Sequence, residues 1–324
     1  MMTFLMLMPA VFMMLLAQLG RRYKALAALT YLGLLLFDML LVVGGTTMLV
    51  VRVTGWRFGE LPLEAHLGFM GGTLLATGLV GALLLLPAVQ RLLSVFMPIV
   101  VGDVVHATAL AYTAYMVGFT LAQAPLLQVL ENVSEKGVSL PQSELWGQAL
   151  AMVLLAFVGV GLGVQRSWRA TVERLSLEWS GWREMRLAVL ATAGLIMLQS
   201  LLGAAWMAVS PESFERISRI SEALLGQFMN PWGALVVGLT AGVGEELVFR
   251  GALQPRFGLL ITSAIFALVH VQYAFSFALV IVFILGIVLG ILRSRVNTTA
   301  AILTHAMYNA TLVLLATYAS NWVP

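Results

Sequence analysis

The sequence contains no cysteine. A disulfide, a thiolate nucleophile, an iron–sulfur cluster and a cysteine-ligated zinc are therefore excluded. Charge is scarce as well. Asp, Glu, Lys and Arg make up 10% of the 324 residues, where a soluble domain carries about a quarter. The formal net charge is +3 and no run of like charges occurs. A basic face for nucleic acid and a solvated, disordered tail are thus both excluded. Histidine is limited to four positions. The bulk of the chain is apolar: 60% of residues are hydrophobic and the mean hydropathy is +0.96. Such a composition rules out a soluble globular enzyme. It points to a lipid bilayer as the surroundings, with about 20 residues needed per span.

The expected fold class is all-α: a polytopic membrane helix bundle of eight or nine transmembrane helices. The apolar stretches include 147–165 as a span and, after Leu253, two separate segments at 257–271 and 273–292. Fused, that pair is too long for one crossing. The first apolar stretch has no basic residue before it, and Arg21, Arg22 and Lys24 follow it. This order fits a retained span with its N-terminus outside rather than a cleaved signal peptide. Alternating sides from there places thirteen of the eighteen Lys and Arg residues inside, Arg250 and Arg256 among them, in line with the positive-inside rule. The stretch 166–186 mixes Trp168, Trp179 and Trp182 with arginines and glutamates, as an amphipathic segment at the cytoplasmic interface does. It divides the chain into an N-terminal transmembrane region (1–165) and a C-terminal transmembrane core (187–324). Asn132-Val133-Ser134 is a glycosylation-type triplet read as chance.

Ionisable groups within a span cost at least about 2.5 kcal/mol each, so their clustering is informative. Asp38, Asp103, His106 and Gln123 are scattered through the N-terminal half and read as structural. The last 80 or so residues differ: they hold the adjacent acid pair Glu245-Glu246, then Arg250, His270, His305 and Asn309. Glu246 and Arg250 are four apart on a helix and can neutralise each other. Glu245 is rotated by about 100° from Glu246, so the same arginine does not readily serve both. His305 and Asn309 are again four apart and share a face. A carboxylate and an imidazole in a dry pocket can activate one water. A second imidazole with a carboxamide can stabilise a tetrahedral oxyanion. Together these groups suit hydrolysis of an amide. Two histidines and a glutamate are also a catalytic zinc set, whose ligands would be Glu245, His270 and His305. No His-Glu-x-x-His run is present.

Three runs carry a resemblance. Glu245-Glu246-Leu247-Val248-Phe249-Arg250 fits Glu-Glu-x-x-x-Arg, Phe266-Ala267-Leu268-Val269-His270 fits Phe-x-x-x-His, and His305-Ala306-Met307-Tyr308-Asn309 fits His-x-x-x-Asn. In this order they resemble the CPBP family of CAAX prenyl endopeptidases and bacteriocin-processing intramembrane proteases, over about 230 to 319. Glu173-Arg174-Leu175-Ser176-Leu177 looks like a family lead-in. The resemblance implies membrane-embedded proteolysis. Glu245 and His270 would activate water, His305 and Asn309 would form the oxyanion site, and Glu246, Arg250 and Phe266 would shape it. No cofactor is required in the preferred reading, and a divalent metal such as zinc is the alternative. The implied partners are a membrane-associated peptide or protein substrate and the bilayer, with no nucleic acid. A prokaryotic plasma membrane fits the absence of cysteine and the loop charges.

Two other function classes use the same residues. A non-proteolytic scaffold or immunity protein would keep the pocket for binding. A proton-coupled transporter also needs intramembrane Glu and His, but the N-terminal half holds no matching set.

Overall fold

The computed structural model describes residues 2–55, 66–125, 141–179, 181–270 and 276–320. These form thirteen helices and no strand. In order they are α1 (Met2–Gly20), α2 (Lys24–Thr54), α3 (Leu67–Leu84), α4 (Pro87–Leu93), α5 (Val104–Ala122), α6 (Gln142–Gly159), α7 (Trp168–Leu175), α8 (Trp182–Val209), α9 (Pro211–Leu225), α10 (Pro231–Phe257), α11 (Leu259–Leu268), α12 (Phe277–Arg295) and α13 (Thr298–Ser320). The Asn132 triplet and the break at 271–273 lie outside the described residues.

Among the described residues, eight helices are long and apolar enough to cross a membrane: α1, α2, α3, α5, α8, α10, α12 and α13. Their outward faces carry exposed leucines such as Leu36, Leu40, Leu190 and Leu201, a surface suited to acyl chains and not to water. The all-α membrane bundle expected from composition is therefore the fold. Two of the expected spans differ. The stretch 147–165 is not one apolar helix: α6 starts at Gln142 and stops at Gly159. Gly161 and Gly163, with φ of 96° and 73°, then turn the chain. It is not among the eight. The segment expected at 257–271 contains only the ten-residue α11, about 15 Å long. That is roughly half of the ~30 Å hydrocarbon core.

Polar caps set the helix starts in the C-terminal half. Asn230 accepts the Gly233 amide at 2.9 Å ahead of Pro231, which sits in the first turn where a missing N–H costs nothing. Asn297 accepts the Ala300 amide at 2.8 Å at the head of α13, while its own side-chain amide donates to the Glu178 carbonyl. The chain just beyond α7 is tied to the same place, since the Thr298 amide donates to the Ser176 carbonyl at 3.0 Å.

The centre of this half is the α10–α13 pair. A Cβ on Gly238 would lie 2.5 Å from the Ala306 carbonyl, and one on Gly242 would lie 2.9 Å from the Ala306 amide and Cβ. Two glycines one turn apart thus let the backbones touch, the small-residue packing that membrane helices favour. The core cluster joining α10 to α13 is built on Phe249, Phe257, Phe266, Leu285, Leu289 and Tyr308. In the other half, α3 packs between α2 and α5, and α1 packs on α6.

Candidate active site

The acid pair sits where the winding of α10 changes. Residues Leu247–Leu253 adopt a π-helix directly after Glu246. Such wide turns are rare and recur at functional sites. Pro255 contributes to the change. It has no N–H to offer Arg250, five residues back, or Gly251, four back. Both carbonyls find arginines from elsewhere. Arg293 of α12 donates to the Arg250 carbonyl at 3.1 Å, and Arg174 of α7 donates to those of Gly251 and Ala252 at 2.9 and 3.4 Å. Gln254 adds donation to the Gly290 carbonyl at 2.8 Å. Buried backbone polar groups need partners, and here the partners also dock α7 and α12 onto the site helix.

Glu246 and Arg250 are both fully buried. Arg250 Nε donates to Glu246 Oε2 at 3.0 Å, the pairing expected from their spacing. Glu246 Oε1 lies 2.9 Å from His305 Nδ1. The close α10–α13 approach thus gives His305 a carboxylate partner 59 positions away in the chain. Phe266, fully buried, fills the centre. The Arg250 guanidinium carbon lies 5.0 Å from its ring centroid, and the His270 and His305 rings lie at 4.7 and 5.8 Å. Arg250 was expected at the inside end of its span. It is instead enclosed seven residues before α10 ends, and its guanidinium serves Glu246 rather than the membrane surface.

Glu245 faces a different partner. Its Oε2 lies 3.7 Å from His270 Nε2, with both side chains about one-sixth exposed. The meeting follows from helix lengths. Glu245 is 12 residues before the end of α10 and His270 is 11 residues after the start of the antiparallel α11, about 18 and 17 Å along the axes. His270 Nδ1 lies 2.6 Å from the Phe266 carbonyl. A carbonyl only accepts, so Nδ1 carries the proton, and in the neutral ring Nε2 presents its lone pair towards Glu245. Two acceptors at 3.7 Å, beyond hydrogen-bond length, leave room for a donor with two hydrogens between them.

Asn309 is half-buried one turn beyond His305 on α13. Sequence reasoning thus found two pairs, Glu245–His270 and Glu246–Arg250, and missed the link from Glu246 to His305. It also missed Arg174, Arg293 and the π-helix. Pro255, five residues after Arg250, was the available signal. In the metal alternative the ligands would be Glu245, His270 and His305. Among the described residues no group of three or more His, Asp or Glu is placed to hold an ion. His305 turns its Nδ1 to Glu246, while His270 faces Glu245.

The polar residues singled out in the N-terminal half each have a partner within the fold, although Asp38 Oδ2 is buried without one. Tyr115 donates to Asp38 at 2.7 Å, and His106 Nδ1 accepts the Val100 amide at 2.8 Å. Arg21 makes a two-pronged pair with Asp103, 2.8 Å on each arm. Gln123 donates to the Phe119 carbonyl one turn back.

Residues 227–311 match the family model described as Type II CAAX prenyl endopeptidase Rce1-like. The match contains all three motifs, from Glu245 to Asn309. No curated protein and no solved structure matches the chain.

Proposed function

We propose, from the premise that residues 227–311 belong to the Rce1-like family of proteases, that this multi-pass protein is an intramembrane endopeptidase. Its substrate in this reading is a membrane-associated peptide or protein, and its nucleophile is a water held between Glu245 and His270. The observation that carries the reading is the 3.7 Å separation of Glu245 Oε2 and His270 Nε2, with the tautomer of His270 set by the Phe266 carbonyl. A water between them donates one hydrogen to each. Glu245 takes the proton as the water oxygen bonds to the scissile carbonyl carbon. The carbonyl oxygen becomes an oxyanion, with the Asn309 amide as a donor. His305, already donating Nδ1–H to Glu246, can donate from Nε2 only when doubly protonated. Collapse of the intermediate breaks the C–N bond, and Glu245 returns its proton to the leaving amine. Glu246 and Arg250 hold α10 and α13 in register, and Phe266 spaces the two histidines.

The division into 1–165, 166–186 and 187–324 remains part of this reading, with α7 as the interfacial piece that braces the site through Arg174. A prokaryotic plasma membrane as the location also belongs here. The test compares cells making wild type with cells making Glu245→Gln at matched membrane levels, reading new peptide termini by mass spectrometry. Termini that depend on Glu245 support the protease and reveal its substrates. Identical termini with a folded variant favour the scaffold or immunity reading, in which the pocket binds without cutting.

A further inference from the structure

A cavity of about 660 Å³ lies in the N-terminal half, walled by α1, α2, α5, α6 and the far side of the π-helix. Arg174, which braces the π-helix, lines it, while Glu245, Glu246, Arg250, Phe266, His270, His305 and Asn309 do not. Its size falls within the ~300–1,000 Å³ typical of ligand sites. It is long as well as large. Lining residues on α1 and the turn after it extend from Met6 to Arg21, and those on α5 from Val105 to Thr120. Each set spans 15 residue steps, about 22 Å along the helix. That exceeds one leaflet, half of the ~30 Å hydrocarbon core. The walls are largely Met, Leu, Phe and Ala.

Four guanidiniums line the same cavity: Arg21, Arg166, Arg174 and Arg256. The carboxylate paired with this group is Asp103, and Arg21 takes both of its oxygens. The other three donate to backbone carbonyls: Arg166 to Val160, Arg174 to Gly251 and Ala252, Arg256 to Pro98. Carbonyls carry no charge, so among the described residues three cations stand together without a counter-anion. Their mutual closeness is felt. Burial, with Arg256, Arg166 and Arg293 nearby, pushes Arg174 down to about 10, and burial, Arg21 and Arg256 lower Arg166. A long apolar tunnel closing on unneutralised arginines is complementary to an amphiphile with an anionic head.

We infer that this cavity binds an anionic phospholipid, one acyl chain lying along α1 and α5 and the phosphodiester held by Arg166, Arg174 and Arg256. The site is separate from the catalytic pocket and stands whether or not the protein is a protease. The lipid would cement α1 and α5 to Val248, Ala252 and Leu253 of α10.

The test is native mass spectrometry of the full chain in detergent, titrated with phosphatidylglycerol, phosphatidylcholine or inorganic phosphate. One phosphatidylglycerol is expected to stay bound at concentrations where phosphatidylcholine dissociates. Arg256→Gln should weaken it about fivefold, the effect of one basic residue on an anionic lipid. Thr113→Phe, which puts a ring into the tunnel, should abolish retention while leaving the lipid-free melting temperature within a few degrees. Inorganic phosphate alone should neither bind at millimolar levels nor displace the lipid. Equal retention of the two lipids, indifference to Arg256→Gln, or protection by phosphate alone overturns the inference. Displacement of phosphatidylglycerol by an isoprenylated peptide also overturns it, and assigns the cavity to substrate. If Thr113→Phe does not fold, Arg256→Gln and the headgroup comparison decide.

Discussion

His305 Nδ1 lies 2.9 Å from Glu246 Oε1, although the two residues are 59 positions apart in the chain. Glu246 thereby holds two groups at once, its own helical neighbour Arg250 and a histidine from α13. The two adjacent glutamates therefore differ in kind. Glu246 is a buried structural anion, while Glu245 is partly exposed and faces His270.

Substituting these neighbours should separate stability from chemistry. Glu246→Gln leaves the enclosed Arg250 charge without its counter-ion, which costs about 3–5 kcal/mol. Thermal unfolding in detergent should show a large loss. Glu245→Gln should melt within a few degrees of wild type.

On a verified substrate, Glu245→Gln and His270→Ala should each lower turnover by about 10²–10⁴-fold, the usual contribution of a positioned acid–base group. Cleavage rates by mass spectrometry measure this. Full activity of Glu245→Gln would remove the carboxylate from the mechanism.

The π-helix gives a coupled prediction. Arg174→Gln should cost about 1–3 kcal/mol, because buried carbonyls lose their donor. Pro255→Ala restores a backbone N–H next to those carbonyls. The double variant should therefore unfold at a higher temperature than Arg174→Gln alone, a non-additivity that a double-mutant cycle detects.

Close approach at Gly242 predicts intolerance of side chains there. Gly242→Val must push Ala306 and its backbone away, at about 1–3 kcal/mol for overpacking. The same displacement shifts His305, one residue earlier, so residual activity should fall further than the melting temperature suggests. Comparing both readouts on one preparation checks it.

Asp103 gives a pH prediction outside the spans. Burial alone would raise its carboxyl, but the hydrogen bonds from Arg21 and the His106 amide, with the Arg21 charge, hold it below the ordinary value. A depressed folded pKa means the pair is fully stabilising above the unfolded value near 3.9. That stability is lost as pH falls through the lower folded value. Asp103→Asn should flatten the acid limb of a melting-temperature profile between about pH 5 and 2.

Much of this was legible in the sequence. Scarce charge and long apolar runs gave the membrane bundle, and spacing alone paired Glu246 with Arg250. Glu245 meets His270, and Glu246, Arg250 and His305 meet beside Phe266, although the partnership of His305 with Glu246 depends on how closely two helices pack, which motif spacing does not give. In the sequence Arg174 belongs to the interfacial segment and the family lead-in, and Arg293 is one more inside charge. Their targets are carbonyls freed by a change of helical winding, which leaves no side-chain signature apart from Pro255. The short α11 was read as a full span because an apolar run bounded by other apolar runs does not announce its depth. The arginine-ended cavity was hidden for a similar reason: Arg21, Arg166, Arg174 and Arg256 are distant in sequence and meet only in the fold.

Because α11 ends after ten residues, Glu245 and His270 meet some 17–18 Å from the Phe257 turn. A chain reaching that level from the same end, at about 3.3 Å per extended residue, needs roughly five residues free of secondary structure. A continuous helix would arrive with its peptide bonds locked in their own hydrogen bonds. For the proposed protease, reach would then act as a filter ahead of any side-chain recognition: loose tails and frayed helix ends would deliver a peptide bond to this depth, and well-formed spans would first have to unwind.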